Sequence, residues 1–372
     1  MQVEEFTDAL RSLVGAESPS ADLPAVEACG DRLADLGEHI TGDAPQRVPL
    51  PGGPSALVWD RGPRAAPGRV LLLGHRDTVW PLGTDRKRPF SVEGGTARGA
   101  GVFDMKAGLL VGLHALASVG PEVPVTLLVT GDEETGSTAS RELIEARARA
   151  AQAVLVLEGA AEGGALKRAR KGWSIYTLRF RGRAAHAGLE PHEGANALVR
   201  LAEYATAAVG LAAPERGLTV TPTLARAGET VNTVPDAAEL HLDVRAATSA
   251  DQRRVDDRIR RLAEAPGEVE VAVEGGPNRP PMEEGAAAAL LGRAAESARS
   301  LGWEPPGSAA VGGISDANLC AALGLPTLDG LGAVGGGPHA VHEWVDVGAT
   351  LNRIPLVSAL VDGLAARPLT GP

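Results

Sequence analysis

A chain of 372 residues is longer than one hydrophobic core usually supports, which predicts two domains of unequal size. With 44% apolar and 22% charged residues it has a soluble globular composition, and its net charge of -11, unrelieved by any basic stripe, excludes nucleic acid as a partner. The two cysteines, Cys29 and Cys320, lie far apart in no metal-type spacing and read as buried free thiols in a reducing compartment.

The first fifteen residues place Phe6, Leu10, Leu13 and Val14 on one helical face and carry acids early. A signal peptide needs a basic start and an apolar run, so this is an ordinary surface helix. No stretch reaches the roughly 18 unbroken apolar residues of a membrane span, so no membrane partner is expected and the location is cytoplasmic. Three apolar runs follow: Val70 to Leu73, Val123 to Val129 and Val154 to Leu157. Each reads as a fully buried strand, and each runs into polar residues: Gly74-His75, Asp132-Glu133-Glu134 and Glu158. Helical patterns at Met105 to Val119 and Ser140 to Ala151 alternate with them, which predicts an α/β domain on a mainly parallel sheet. Ligands in such sheets bind beyond the carboxyl ends of the strands.

Around Arg170 the texture changes. Trp173 to Arg181 alternates, a helix spans Ala195 to Val209, and Leu218 to Ala225 and Ala238 to Val244 alternate again. A helix at Ala250 to Ala263 then precedes a strand at Val269 to Val273. This order predicts a small inserted ferredoxin-like α+β sandwich. The breaker-rich segment Gly275 to Pro281 reads as the linker back, followed by a helix at Gly285 to Leu301 and a strand ending at Leu328. The division is therefore residues 1–171 and 282–372 for the larger domain and 172–281 for the insertion.

His75 and Asp77, two apart on an extended backbone, share a side, so the carboxylate can hold one ring nitrogen and leave the other for a metal. Taken alone, the pair reads more readily as a structural histidine. Asp104 lies just ahead of a helix, where it serves either as an N-cap or, with one oxygen for each, as a bridge between two ions. Three adjacent acids at Asp132, Glu133 and Glu134 repel one another unless solvent or a cation intervenes. If one glutamate binds metal, the other must stay uncoordinated to shuttle a proton. Glu158 ends a buried strand, and Gly335-Gly-Gly-Pro-His339-Ala-Val-His342-Glu343 offers two histidines of which one suffices. His39, His114 and His241 have no such setting. Three parallel strands delivering His, Glu or Asp to one sheet edge read together as a dinuclear site.

These motifs resemble the zinc hydrolase family of glutamate carboxypeptidase, succinyl-diaminopimelate desuccinylase, acetylornithine deacetylase and aminoacylase. The likeness runs over the whole chain, through Gly-His75-Arg-Asp77-Thr-Val, Gly-Ala-Gly-Val-Phe-Asp104-Met-Lys, Asp132-Glu133-Glu134-Thr-Gly-Ser, Leu-Glu158-Gly and Gly-Pro-His339-Ala-Val-His-Glu343. The resemblance implies two Zn2+, with Co2+ or Mn2+ possible in their place. By it Asp104 bridges them, His75 and Glu158 complete one site, Glu134 and His339 complete the other, and Glu133 is the general base. His339 is preferred to His342 because the family's histidine stands four residues before a glutamate, here Glu343. The insertion matches at Arg183-Ala-Ala-His186-Ala-Gly, Gly228-Glu-Thr-Val-Asn232 and Asp243-Val-Arg245. As a family lid it implies a homodimer in which His186 polarises the scissile carbonyl of the neighbouring subunit's site. Asn232 and Arg245 would grip the substrate carboxylate, and the loop with Gly313 and Ser315 would border the pocket. Glu158 precedes Gly159 where many relatives have proline, which predicts a looser turn. The implied function is hydrolysis of the amide of an N-acyl amino acid or of a C-terminal amino acid, on a small amide or short peptide with a free carboxylate. The alternative is a non-catalytic relative that binds a peptide or amino acid.

Overall fold

A computed structural model of the chain describes residues 2–63 and 68–369. The apolar runs form the middle of a six-stranded sheet. Strands Gln46–Val48 (β1), Ala56–Arg61 (β2), Val70–His75 (β3), Val125–Thr130 (β4) and Ala153–Val156 (β5) lie in the order β1-β2-β4-β3-β5, with Thr327–Leu328 beside β5. β3 runs parallel to β4 and β5, and β5 parallel to Thr327–Leu328, whereas β1 and β2 pair antiparallel. The main sheet is thus mixed and mostly parallel. Every residue of β3 and β4 is buried, the condition under which strands show continuous instead of alternating apolar residues. Each fully buried leucine contributes about 1.5–3 kcal/mol.

Register decides what this sheet delivers. His75 lies opposite Thr130, Leu73 lies opposite Val156, and the N–H of Leu157 donates to the carbonyl of Leu73. The segments bearing His75 and Asp77, Glu133 and Glu134, and Glu158 therefore leave the sheet at one edge.

The helix expected from Met105 begins at Ala107 and ends at Ser118, with nine of its twelve residues buried. Ahead of it Val102–Lys106 makes an irregular wide turn, with Asp104 at φ -117° and ψ 91°. The turn is tied to helix Val3–Gly15, which buries Phe6, Leu10, Leu13 and Val14. Buried Lys106 donates from Nζ to the carbonyls of Leu13 and Ala16, both at 2.8 Å, satisfying helix-end acceptors. A second, antiparallel sheet was not anticipated: Gly335–Gly336, Trp344–Asp346, Thr96–Arg98 and Ser91–Glu93 pair in that order. Two- and three-residue strands are too short for alternation to register in a sequence.

The chain divides into two units: Met1–Ala169 with Glu284–Val311 and Ser315–Pro372, and Arg170–Glu283 with Gly312–Ile314. In the second, strands Thr219–Ala227, Ala237–Ala246, Gly172–Arg181 and Glu270–Arg279 form an antiparallel sheet in that order. Helices Ala197–Val209 and Ser249–Ala263 start at the side-chain caps of Asn196 and Thr248. Their apolar faces meet the sheet in a core that includes Tyr176, Phe180, Leu201, Tyr204, Leu242 and Ile259.

The breaker-rich segment is not a linker. Strand Glu270–Arg279 continues through Gly275, Gly276, Pro277 and Asn278 as an edge strand, with a register shift between Pro277 and Arg279. An edge position tolerates proline, and Gly275, at φ 85°, has its would-be Cβ 2.2 Å from the Ile175 carbonyl oxygen, so only glycine permits the approach. Among the described residues, no helix is long and apolar enough to cross a membrane.

Candidate metal centre

Strand β3 ends at His75, whose side chain is almost wholly buried. Its Nδ1 lies 3.1 Å from the Asp77 carbonyl oxygen and 3.4 Å from Asp77 Oδ1. Its Nε2 lies 3.4 Å from both Asp104 Oδ1 and Glu158 Oε1, yet it is buried with no hydrogen-bond partner among the described residues. A nitrogen desolvated in this way without a partner is costly unless something else takes its lone pair.

The other Asp104 oxygen, Oδ2, is 3.2 Å from His339 Nε2, which is also 3.2 Å from Glu134 Oε1. Two groups of three metal-type donors, His75–Asp104–Glu158 and Asp104–Glu134–His339, therefore share Asp104, with the donor atoms of each group within 4.8 Å of one another. His339 sits at φ 60°, a strained region for a residue with a Cβ, as is common where function fixes a side chain.

The three-acid run separates by role. Asp132 Oδ2 accepts the N–H groups of Ala139 and Ser140, holding the turn ahead of helix Arg141–Arg149. Glu134 reaches His339. The N–H groups of Glu133 and Glu134 donate to Asp77 Oδ1 and Oδ2 at 3.2 and 3.1 Å, and the Ser20 hydroxyl donates to Oδ2 at 2.8 Å. Asp77 thus orients the His75 ring and the acidic turn together.

Charge accumulates here. Burial pulls His75 down most strongly, but the nearby carboxylates of Asp104, Asp77 and Glu158 raise it well above its ordinary value. Hydrogen bonds to Asp104 and then Glu134 raise His339 to about 10. Burial pushes Asp104 up, but the two imidazoles hold it below the usual carboxylate range. Glu134 is raised, by burial first. Carboxylates so crowded keep both rings protonated, and a divalent cation relieves the same excess of negative charge.

Glycine at 159 accompanies tight packing against the neighbouring turn. A Cβ at Gly159 would stand 2.2 Å from Cζ of Phe103, in the turn that carries Asp104. Ser315, expected at the pocket border, is fully buried instead, its hydroxyl donating to Asp329 Oδ2 at 2.9 Å and accepting from the Ala317 N–H at 3.1 Å. The hydroxyl's donated bond and one of its accepted bonds are thus made within the loop. Gly313, grouped with the second unit, accepts from Arg170 Nη1 through its carbonyl at 3.0 Å.

His186, Asn232 and Arg245 belong to the second unit. Ala185–His186 pairs with Thr233–Val234, and the Ala187 N–H donates to the Asn232 carbonyl, so His186 and Asn232 are neighbours. His186 Nδ1 accepts the N–H groups of Gly188 and Leu189 at 3.1 and 3.2 Å, so in the neutral ring the proton sits on Nε2. Arg245 is held bidentately by Asp243 at 2.8 and 2.9 Å and stacks over Trp173, which engages one edge of its fork.

One participant escaped sequence reasoning. Glu343, noted only for its spacing from His339, is 2% exposed and accepts four hydrogen bonds from the chain around Asp104 and from Trp80. Its one signal was an acid beside a glycine-rich, histidine-bearing loop.

A model of peptidase family M20/M25/M40 matches residues 71–363. The chain belongs to this family. It is accordingly a hydrolase, of a metallopeptidase kind. Carboxypeptidase G2 of Pseudomonas sp. strain RS-16 is 30% identical over 373 aligned residues, covering 96% of this chain and 88% of the relative. Among solved structures, aminopeptidase PepT of Bacillus cereus superposes with a TM-score of 0.80 at 22% identity, over 98% of this chain and 99% of the other. The YXEP protein of Bacillus subtilis, described as a dinuclear metal-binding peptidase of the M20 family, superposes with a TM-score of 0.71 at 15% identity, over 98% of each chain.

Proposed function

We propose that the chain is a dinuclear zinc amidohydrolase that releases a C-terminal amino acid such as glutamate, or deacylates an N-acyl amino acid. The observation that carries this reading is the sharing of Asp104 between two triads, one of them built on a buried His75 nitrogen with no hydrogen-bond partner among the described residues. The donors fit the group: three imidazole or carboxylate ligands per ion, leaving further positions open, is the pattern of catalytic zinc. In this reading His75 and Glu158 would hold one ion and Glu134 and His339 the other, with Asp104 serving both groups and Co2+ or Mn2+ able to substitute. Bound there, the cations supply Lewis acidity to the amide carbonyl and to the attacking water.

Glu133 is the general base. It takes a proton from the water as the new C–O bond forms and returns it to the amide nitrogen as the C–N bond breaks. Asp77 keeps that turn and the His75 ring in place. His186, as the Nε2–H tautomer, donates to the carbonyl oxygen where negative charge develops. Asn232, Arg245 and the Gly313 loop receive the substrate's free carboxylate, Arg245 through the edge of its fork that Asp243 leaves open.

We also assign a homodimer to the second unit. Thr219–Ala227 is the edge strand of its sheet, paired on one side with Ala237–Ala246 and carrying exposed Leu224, and the helix Ala197–Val209 that packs on its sheet exposes Leu198, Val199 and Val209. The kinship with carboxypeptidase G2 supports the peptidase branch. The test is to screen N-acyl amino acids, N-acyl glutamates and dipeptides with zinc-loaded protein, following amino acid release with and without a chelator. Release that stops on chelation is expected, and activity indifferent to chelators would overturn the reading.

A further inference from the structure

Glu343 is a buried acid that no step above employs. Its Oε1 accepts the peptide N–H groups of Phe103 (2.8 Å) and Asp104 (3.0 Å), and its Oε2 accepts those of Gly101 (2.8 Å) and the Trp80 indole (3.0 Å). Three of the four donors are backbone groups of the single turn that presents Asp104, including that residue's own N–H. The acceptor lies four residues beyond His339 on the connection between the short strands Gly335–Gly336 and Trp344–Asp346. The latter strand pairs with Thr96–Arg98, which leads into the same turn. One carboxylate thus ties the Asp104 turn to the His339 loop.

We propose that Glu343 is a positioning residue for the metal centre, setting the separation of Asp104 and His339 so that both ions find their donors at bonding distance. The direction of a side chain follows from the orientation of its own peptide, and the Asp104 peptide points its N–H at Glu343. If that anchor is released, the carboxylate that serves both triads loses its aim. Metal sites tolerate only small errors in donor position, and groups that orient ligands typically contribute 10–100-fold to metal affinity. Packing alone explains the arrangement poorly, because an apolar side chain would fill the space while leaving three backbone N–H groups and the Trp80 indole without this acceptor.

This role rests on the dinuclear reading, and the experiment separates the two. Apo wild type, Glu343→Gln and Glu343→Asp are titrated with Zn2+ by calorimetry and with Co2+ by visible absorption, and each apo protein is melted. The glutamine variant keeps the shape but turns an amide N–H toward the backbone donors. The aspartate variant keeps the charge but withdraws it by one methylene. Both are expected to remain folded while melting below wild type, because buried N–H groups lose their acceptor, to bind ions about 10–100-fold more weakly and to give an altered Co2+ spectrum. Wild-type isotherms and spectra in both variants would overturn the role while leaving the dinuclear reading standing. Unfolding of both apo variants would make Glu343 a staple of the fold and overturn it too, whereas a wild type that binds no divalent ion removes the underlying reading itself.

Discussion

Asp77 receives the peptide N–H of Glu133 at 3.2 Å while its carboxylate also faces the ring of His75, so one fully buried acid aligns the proposed base with a proposed ligand. Burial pushes its pKa up most strongly, yet His75, the Ser20 hydroxyl and the Glu134 N–H together hold it below the usual carboxylate range. It is therefore ionised and accepts throughout.

Replacing this anion by an amide, Asp77→Asn, leaves an N–H facing an N–H and deprives the imidazole of its charged partner. A fall in kcat/KM of about 10–100-fold with KM little changed is expected. Steady-state kinetics check it, and an unaltered kcat/KM would remove Asp77 from the positioning scheme.

Glu133→Gln separates proton transfer from metal binding. Turnover is expected to drop about a hundred- to ten-thousand-fold while zinc content by elemental analysis stays at the wild-type value. Loss of zinc with activity would instead mark Glu133 as a ligand.

The imidazoles make metal uptake pH-dependent. With His339 raised to about 10 by Asp104 and Glu134, and His75 raised as well, both rings carry protons at neutral pH when no ion is present. A raised folded pKa stabilises the apo protein below the unfolded histidine value, and that contribution fades as pH climbs toward about 10. Ion binding has the opposite sign, because each ring must give up its proton, so affinity rises about tenfold per pH unit for every proton released. Calorimetry in buffers of different ionisation heat counts these protons. An affinity flat from pH 6.5 to about 10 would contradict the geometry.

Ser315 discriminates a structural hydroxyl from a substrate contact. Ser315→Ala removes one hydrogen bond to Asp329 Oδ2 and leaves the Ala317 N–H without the hydroxyl it donates to, so a stability loss of about 1–3 kcal/mol with unchanged KM is expected. A raised KM at wild-type melting temperature would restore the substrate role.

Much of this could be read from residue order alone. Long buried strands announce themselves as apolar runs, so β3, β4 and β5 and the polar residues at their ends were visible, as was the alternating pattern of the inserted sheet. Other features were hidden because they depend on partners far along the chain. The strand through Gly275 and Pro277 reads as a breaker cluster until its edge position and its contact with Ile175 are known.

Local chemistry by itself narrowed the candidates for a cation site to a few His, Asp and Glu side chains and marked the buried strands that several of them follow, because burial and periodicity are written into short stretches. Tertiary structure alone decided which acid does what: Asp132 turns to hold a turn, Glu134 meets His339, and Glu343 seizes a loop some 240 residues earlier. A hydrogen bond to a backbone N–H leaves no mark on the identity of the residue that donates it, and so only the folded chain reveals it.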